Sequence, residues 1–192
     1  SALGIFISYL LLKHADTIAE VFDYKKLFLI SAIPALLGLA MFIFIKEKKA
    51  PPGKYAREPF WKNIKQLDKR LILYLCVFFI FTLGNSSNAF LLLRAKDAGF
   101  DDTNVVLLYF IYNLVSSLLA VPLGRLSDNI GRKKLLVTGY FVFSAVYACF
   151  AFAGSRPMLY FAFALYGVYT AMTAGIERAF ITEIAPAALK GT

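Results

Sequence analysis

Gly124-Arg125-Leu126-Ser127-Asp128-Asn129-Ile130-Gly131-Arg132-Lys133-Lys134 decides how the rest of the chain is read. The stretch holds four cations, one anion and two glycines. On either side lie long runs without an acidic or basic residue, Val105–Leu123 and Leu135–Gly154. A tight cationic turn between two such walls predicts two helices that cross a membrane and reverse direction on its aqueous face. Gly124 and Gly131 are expected to relieve backbone crowding in that turn.

Runs of the same kind recur at Leu27–Ile45, Leu71–Leu93 and Met158–Ile176, and a shorter one, Ser1–Leu12, reads as a helix cut at its start and continuing toward Ile18. About 20 apolar residues in a helix span the hydrocarbon core. The 192 residues are 59% hydrophobic and 17% charged, against roughly a quarter charged in soluble domains. The charges cluster between the runs and leave too little polar surface to keep the chain in water. Strands that cross a membrane are about ten alternating residues long. These runs are 19 to 23 residues long and do not alternate. Helices therefore satisfy the backbone inside lipid, and the expected fold is all-α, a polytopic transmembrane helix bundle.

The net charge is +9. In a soluble domain this would raise nucleic acid as a partner, but here the cations lie in loops, so topology explains them and no nucleic acid is expected. Segments 46–70, 124–134 and 177–192 hold nine, four and two Lys/Arg, while 13–26, 94–104 and 155–157 hold three, two and one. Positive loops stay in the cytoplasm, which predicts a multi-pass protein of the cell membrane with both ends of this chain cytoplasmic. Cys76 and Cys149 fall inside apolar runs as free thiols. No metal-ligand spacing is visible, and neither metal nor cofactor is expected. Ser1–Leu12 lacks the basic start and cleavage site of a signal peptide.

Polar residues inside the apolar runs are the candidate site. A spanning helix carries such groups where they face protein or water. Gly84-Asn85-Ser86-Ser87-Asn88 interrupts the third run, with Asn85 and Asn88 on one face. Tyr109, Tyr112, Asn113 and Ser116 form a stripe at helical spacing in the fourth; such a stripe is either helix–helix glue or the wall of a pathway. The helix of Leu135–Gly154 carries Tyr140 and Tyr147 but no charge, and packing or lipid contact is its default reading. The last helix runs as one piece from Pro157 to about Pro186 and adds Tyr166, Tyr169, Thr170 and Thr173 among small residues. Glu177 is the acid well inside an apparent span, a proton-coupling candidate or the acid of an ion pair to another helix. His14, near the aqueous boundary, reads as an exposed residue. In 46–70, Phe60, Ile64, Leu67 and Leu71 recur on one helical face, with Trp61 and lysines around them, the pattern of a helix lying on lipid headgroups.

The opening stretch resembles the signature loop of the major facilitator superfamily, G-x-x-x-D-(R/K)-x-G-R-(R/K)-(R/K). Gly124, Asp128, Gly131, Arg132, Lys133 and Lys134 match, and Asn129 departs from it. The resemblance covers essentially the whole chain, because two spanning helices precede a long basic segment similar to the family's central loop. It implies a partial chain of about six of twelve spanning helices, similar to helices five to ten. Residues 1–45 would then close the N-terminal six-helix half, 46–70 would be the central linker, and 71–192 would open the C-terminal half. It also implies alternating access, with Asp128 meeting the positive end of a helix dipole and Arg132 pairing with Glu183 as a gating contact. The remaining helices of the transporter, membrane lipid, a small solute and protons are the implied partners. Asn85, Asn88, Tyr112, Asn113, Tyr169 and Thr173 are the substrate-cavity candidates, lining a site for an amphipathic or neutral solute. Two other readings stand beside transport: a non-transporting scaffold or pseudotransporter docking a partner through the basic linker, and a membrane-embedded enzyme. No nucleophile pairing or His cluster supports the latter.

Overall fold

The computed structural model describes residues 2–18, positions 32, 33, 36 and 40, and residues 69–85 and 87–184. The expected helix Leu27–Ile45 and the linker 46–70 therefore lie almost wholly outside the described residues. The chain forms two compact units, Ser1–Tyr9 with Glu58–Thr192, and Leu10–Arg57. Apart from the helical residues Leu10–Ile18, everything below concerns the first.

Among the described residues every regular element is a helix: α1 (Ala2–Ile18), α2 (Lys69–Gly84), α3 (Asn88–Asp97), α4 (Asp102–Ile130), α5 (Arg132–Phe152), α6 (Arg156–Thr173) and α7 (Ile176–Ile184). Four stretches are long and apolar enough to cross a membrane: Leu71–Asp97, Asp102–Ile130, Arg132–Phe152 and Arg156–Ile184. They correspond to the last four predicted runs. Three boundaries differ from the sequence reading. The third run is two helices, because the backbone is not helical at Asn85 and at Ser87, where Ser87 takes a β conformation and accepts a bond from the Ala89 N–H. Ser side chains compete with the helix for backbone hydrogen bonds, and Ser87 does so here. The last helix is likewise interrupted at Ala174-Gly175.

The third difference concerns the opening stretch. It is not a loop: α4 continues to Ile130 and α5 begins at Arg132, so the reversal rests on Gly131 alone. Gly131 has φ 95°, and its N–H bonds to the Ser127 carbonyl. A side chain in that conformation is strained. Gly124, by contrast, sits inside α4, and a Cβ there would meet nothing within 4 Å. Of the two glycines expected to relieve a crowded turn, only Gly131 does so.

Helix association in lipid relies on close van der Waals packing, which small residues permit. A Cβ on Gly167 would lie 2.6 Å from the Tyr112 carbonyl oxygen and 2.9 Å from Val115 Cβ, so α4 and α6 cross in direct backbone proximity. Gly139 of α5 faces Thr173 Cγ2 at 3.0 Å on the other side of α6. With α6 thus central, Phe163, Leu108, Leu159 and Val146 are fully buried between α4, α5 and α6. A smaller cluster of Leu135, Leu136, Met172 and Ile176 closes the Gly131 end. The faces turned away from this core are apolar as well: Leu73, Phe79, Leu118, Phe141 and Phe152 are exposed, as residues facing lipid or further helices must be.

Candidate functional site

At the Gly131 end, Arg132 collects three acceptors. Its Nη2 donates to Asp128 Oδ1 at 3.2 Å, one turn back across the reversal. Its Nη1 donates to Glu183 Oε2 at 3.2 Å and to the Ala179 carbonyl at 3.1 Å, both on α7. Arg132 is partly exposed, and the two carboxylates are more so. Three donors in a planar fork suit this task, which a lysine could not reproduce. Lys133 and Lys134 point to the surface. Beside this junction an open cleft of about 290 Å³ separates α4 from α6 and α7, bordered by Ser116, Gly124, Asp128, Arg132, Thr170 and Gly175 among others.

The cavity candidates fall into two groups. Asn88 Oδ1 accepts from the Tyr166 hydroxyl at 2.7 Å. Tyr166 in turn packs against Tyr112 with ring centroids 5.0 Å apart and against Tyr169 at 5.5 Å. Asn88, Tyr112 and Tyr169 are thus brought together, and the residue that joins them, Tyr166, shows in the sequence only as added polarity. Asn113 and Thr173 each hydrogen-bond to local backbone. Asn113 Nδ2 donates to the Tyr109 carbonyl at 2.9 Å, and Thr173 Oγ1 to the Tyr169 carbonyl at 3.1 Å. Asn85 is exposed at the end of α2, its N–H bonded to the Phe81 carbonyl at 3.1 Å.

Glu177 opens α7 just after the interruption at Ala174-Gly175, and its Oε1 accepts from the Tyr140 hydroxyl at 3.3 Å. Among the described residues it makes no ion pair. In the sequence Tyr140 has the look of a packing or lipid-facing residue; its partner lies 37 positions away in the chain, beyond the reach of any local pattern.

The opposite end is held by arginines. Arg94 of α3 donates to the carbonyls of Phe150 and Ala153, at 3.4 and 3.3 Å, and pairs with Asp97 at 2.7 Å. It satisfies two of the backbone acceptors that the end of α5 leaves open. Arg156 donates to the Gly99 carbonyl at 2.9 Å and lies over the Phe100 ring. Asp101 caps α4 through the Asn104 N–H. The Asn104 side chain, bonded to its carboxylate, holds Asp101 below the usual carboxylate range.

No group of His, Cys, Asp and Glu able to hold a metal ion is found among the described residues.

Comparison with known proteins agrees with this architecture. Residues 1–192 match the family profile described as Major Facilitator Superfamily. The chain is 34% identical over 177 residues to an uncharacterized MFS-type transporter of Methanocaldococcus jannaschii, a match covering 89% of this chain and 44% of that protein. It is 39% identical over 94 residues to the multidrug efflux pump LfrA of Mycolicibacterium smegmatis, covering 48% of this chain and 19% of the pump. The chain thus spans less than half the length of the curated relatives it matches. No solved structure matches. A family match over its whole length, four helical stretches long and apolar enough to cross a membrane and the Gly124–Lys134 motif lead to one conclusion: this chain is a multi-pass membrane chain that belongs to the major facilitator superfamily.

Proposed function

We propose that the protein containing this chain moves a small solute by alternating access, with Asp128, Arg132 and Glu183 as a latch on its cytoplasmic side. The carrying observation is the position of Arg132. One guanidinium ties the end of α4, the start of α5 and the exposed last turns of α7. Rigid-body rocking must change the surroundings of those helix ends, so contacts there bias one state over the other. Exposed ion pairs are worth up to ~1 kcal/mol each, enough for roughly a fivefold bias. Gly131 and the neighbouring Lys133 and Lys134 complete the motif.

The solute meets the tyrosine–amide cluster of Asn88, Tyr112, Tyr166 and Tyr169. Aromatic faces with a few neutral hydrogen-bonding groups suit an amphipathic solute, and similarity to a multidrug efflux pump supports a drug-like one. Glu177, half-buried and without a cationic partner among the described residues, is the proton-coupling group.

The test is reconstitution of the full-length transporter carrying Asp128→Asn. Flux falls and the inward/outward distribution moves by roughly fivefold. Wild-type flux with an unchanged distribution removes the latch from the mechanism.

A further inference from the structure

Asn88 offers a solute one end of its side chain and not the other. An amide carries an acceptor oxygen and a nitrogen with two donor hydrogens. The oxygen, Oδ1, is taken by the Tyr166 hydroxyl at 2.7 Å, a bond that joins α3 to α6. The nitrogen, Nδ2, makes no hydrogen bond among the described residues. Asn88 is half-buried. Among the described residues, the buried polar atom left without a partner is the Tyr74 hydroxyl and not the Asn88 nitrogen, so that nitrogen is open to contact.

The orientation is pinned from the other side. Tyr166 is 5% exposed, and its hydroxyl makes no other hydrogen bond among the described residues. Were the amide to turn over, the phenol oxygen could accept from Nδ2, but the phenol proton would lose its acceptor. A buried donor left unmatched is costly, so Oδ1 stays with Tyr166 and Nδ2 faces away from it. The Tyr166 ring is held in turn. It packs against Tyr112 and Tyr169, and the next residue, Gly167, sets α6 directly against the α4 backbone at Tyr112. A phenol hydroxyl such as that of Tyr112 donates or accepts as its O–H turns, and favours neither kind of solute. The Asn88 nitrogen only donates.

We propose that Asn88, oriented by Tyr166, makes the tyrosine–amide cluster selective for uncharged aromatic solutes that accept a hydrogen bond, such as aryl ketones, over those that only donate one. Asn88 meets the solute, and Tyr166 is a positioning residue that fixes which end of the amide is presented. The inference rests on the cluster being the solute site and adds the class of solute it takes.

The experiment is equilibrium binding of two flat tricyclic probes, fluorenone and carbazole, to the full-length transporter in lipid nanodiscs, with uptake by empty nanodiscs subtracted. Fluorenone accepts a hydrogen bond through its carbonyl, and carbazole donates one through its N–H. The readout is the ratio of their affinities. A neutral hydrogen bond is worth about fivefold, and wild type favours fluorenone by that much. Asn88→Leu removes the preference by weakening fluorenone. Tyr166→Phe removes it from the other side: the released amide turns its oxygen to carbazole, which binds more tightly while fluorenone is held as before. Tyr112→Leu weakens both probes alike and keeps the ratio. Damaged packing would weaken both probes in every variant, so the gain of carbazole in Tyr166→Phe is the signature. If wild type shows no preference, if Asn88→Leu or Tyr166→Phe keeps the wild-type ratio, or if Tyr166→Phe weakens carbazole, the donor assignment is wrong; the loss of both probes in Tyr112→Leu then still marks the cluster as the solute site. If neither probe binds, or Tyr112→Leu changes neither affinity, the cluster reading falls and takes the selectivity with it.

Discussion

Gly131 and Gly124 occupy the same signature motif, but physics treats them differently. Gly131 has φ 95° and terminates α4, so Gly131→Ala forces strain of about 1–3 kcal/mol and lowers the thermal midpoint of the purified protein. Gly124 is helical with open space where a Cβ would go. Gly124→Ala is therefore neutral or stabilising by up to ~1 kcal/mol in the same unfolding measurement. Asp101 makes a pH-dependent contribution. Its carboxyl is held low by Asn104 in the folded state. A lowered folded value means the stabilisation is present above the unfolded value near ~3.9 and is lost as pH falls through the folded one. The melting difference between wild type and Asp101→Ala should be measurable at neutral pH and vanish in strong acid.

Among the helices, α6 is the one the bundle is built on, because Gly167 and Gly139 let α4 and α5 approach it closely. Gly167→Ala places a Cβ against the Tyr112 carbonyl, which is backbone and cannot swing aside. Overpacking of this kind costs roughly 1–3 kcal/mol, read as loss of thermal stability in detergent. The half-helix α3 is stapled by Arg94 to the last carbonyls of α5. Arg94→Ala removes both bonds, at about 1 kcal/mol each. Arg94→Lys restores little, because a compact ammonium cannot span two carbonyls as a fork does. No such staple holds α2 among the described residues, and its ring contacts are Tyr74 on Phe180, and Phe81 on Tyr140 and Phe143.

At the scale of the whole molecule, the apolar residues left exposed around the bundle require lipid or further helices. The chain should stay with membranes through an alkaline carbonate wash and enter solution only with detergent. Release into the wash would contradict the membrane assignment. Composition alone makes the assignment plain, because no water-soluble arrangement hides five apolar runs of about 20 residues. The same holds for the superfamily, whose motif depends on a few residues adjacent in sequence.

What the sequence determined by itself was therefore whatever is local: helical class, the spans, the Gly124–Lys134 motif and the polar residues inside the membrane. Asn88, Tyr112, Tyr169, Arg132, Glu183 and Glu177 are all visible there as chemistry in an unusual place. The tertiary structure decided what each of them touches. Tyr166 reaches Asn88 across 78 positions of sequence, Arg132 reaches Glu183 across 51, and Tyr140 reaches Glu177 across 37. Only helix packing brings such pairs within 3.5 Å, and no periodicity along one helix encodes the face of another. The interruptions at Asn85 and Ser87 and at Ala174-Gly175 were not legible in the sequence either. Polar residues at the first and small ones at the second are plain in the sequence, but both kinds also occur in unbroken spanning helices. The bonds seen at each break are local, from the Ala89 N–H to Ser87 and from the Ala174 N–H to the Thr170 carbonyl, and the same bonds are open to any helix of this composition.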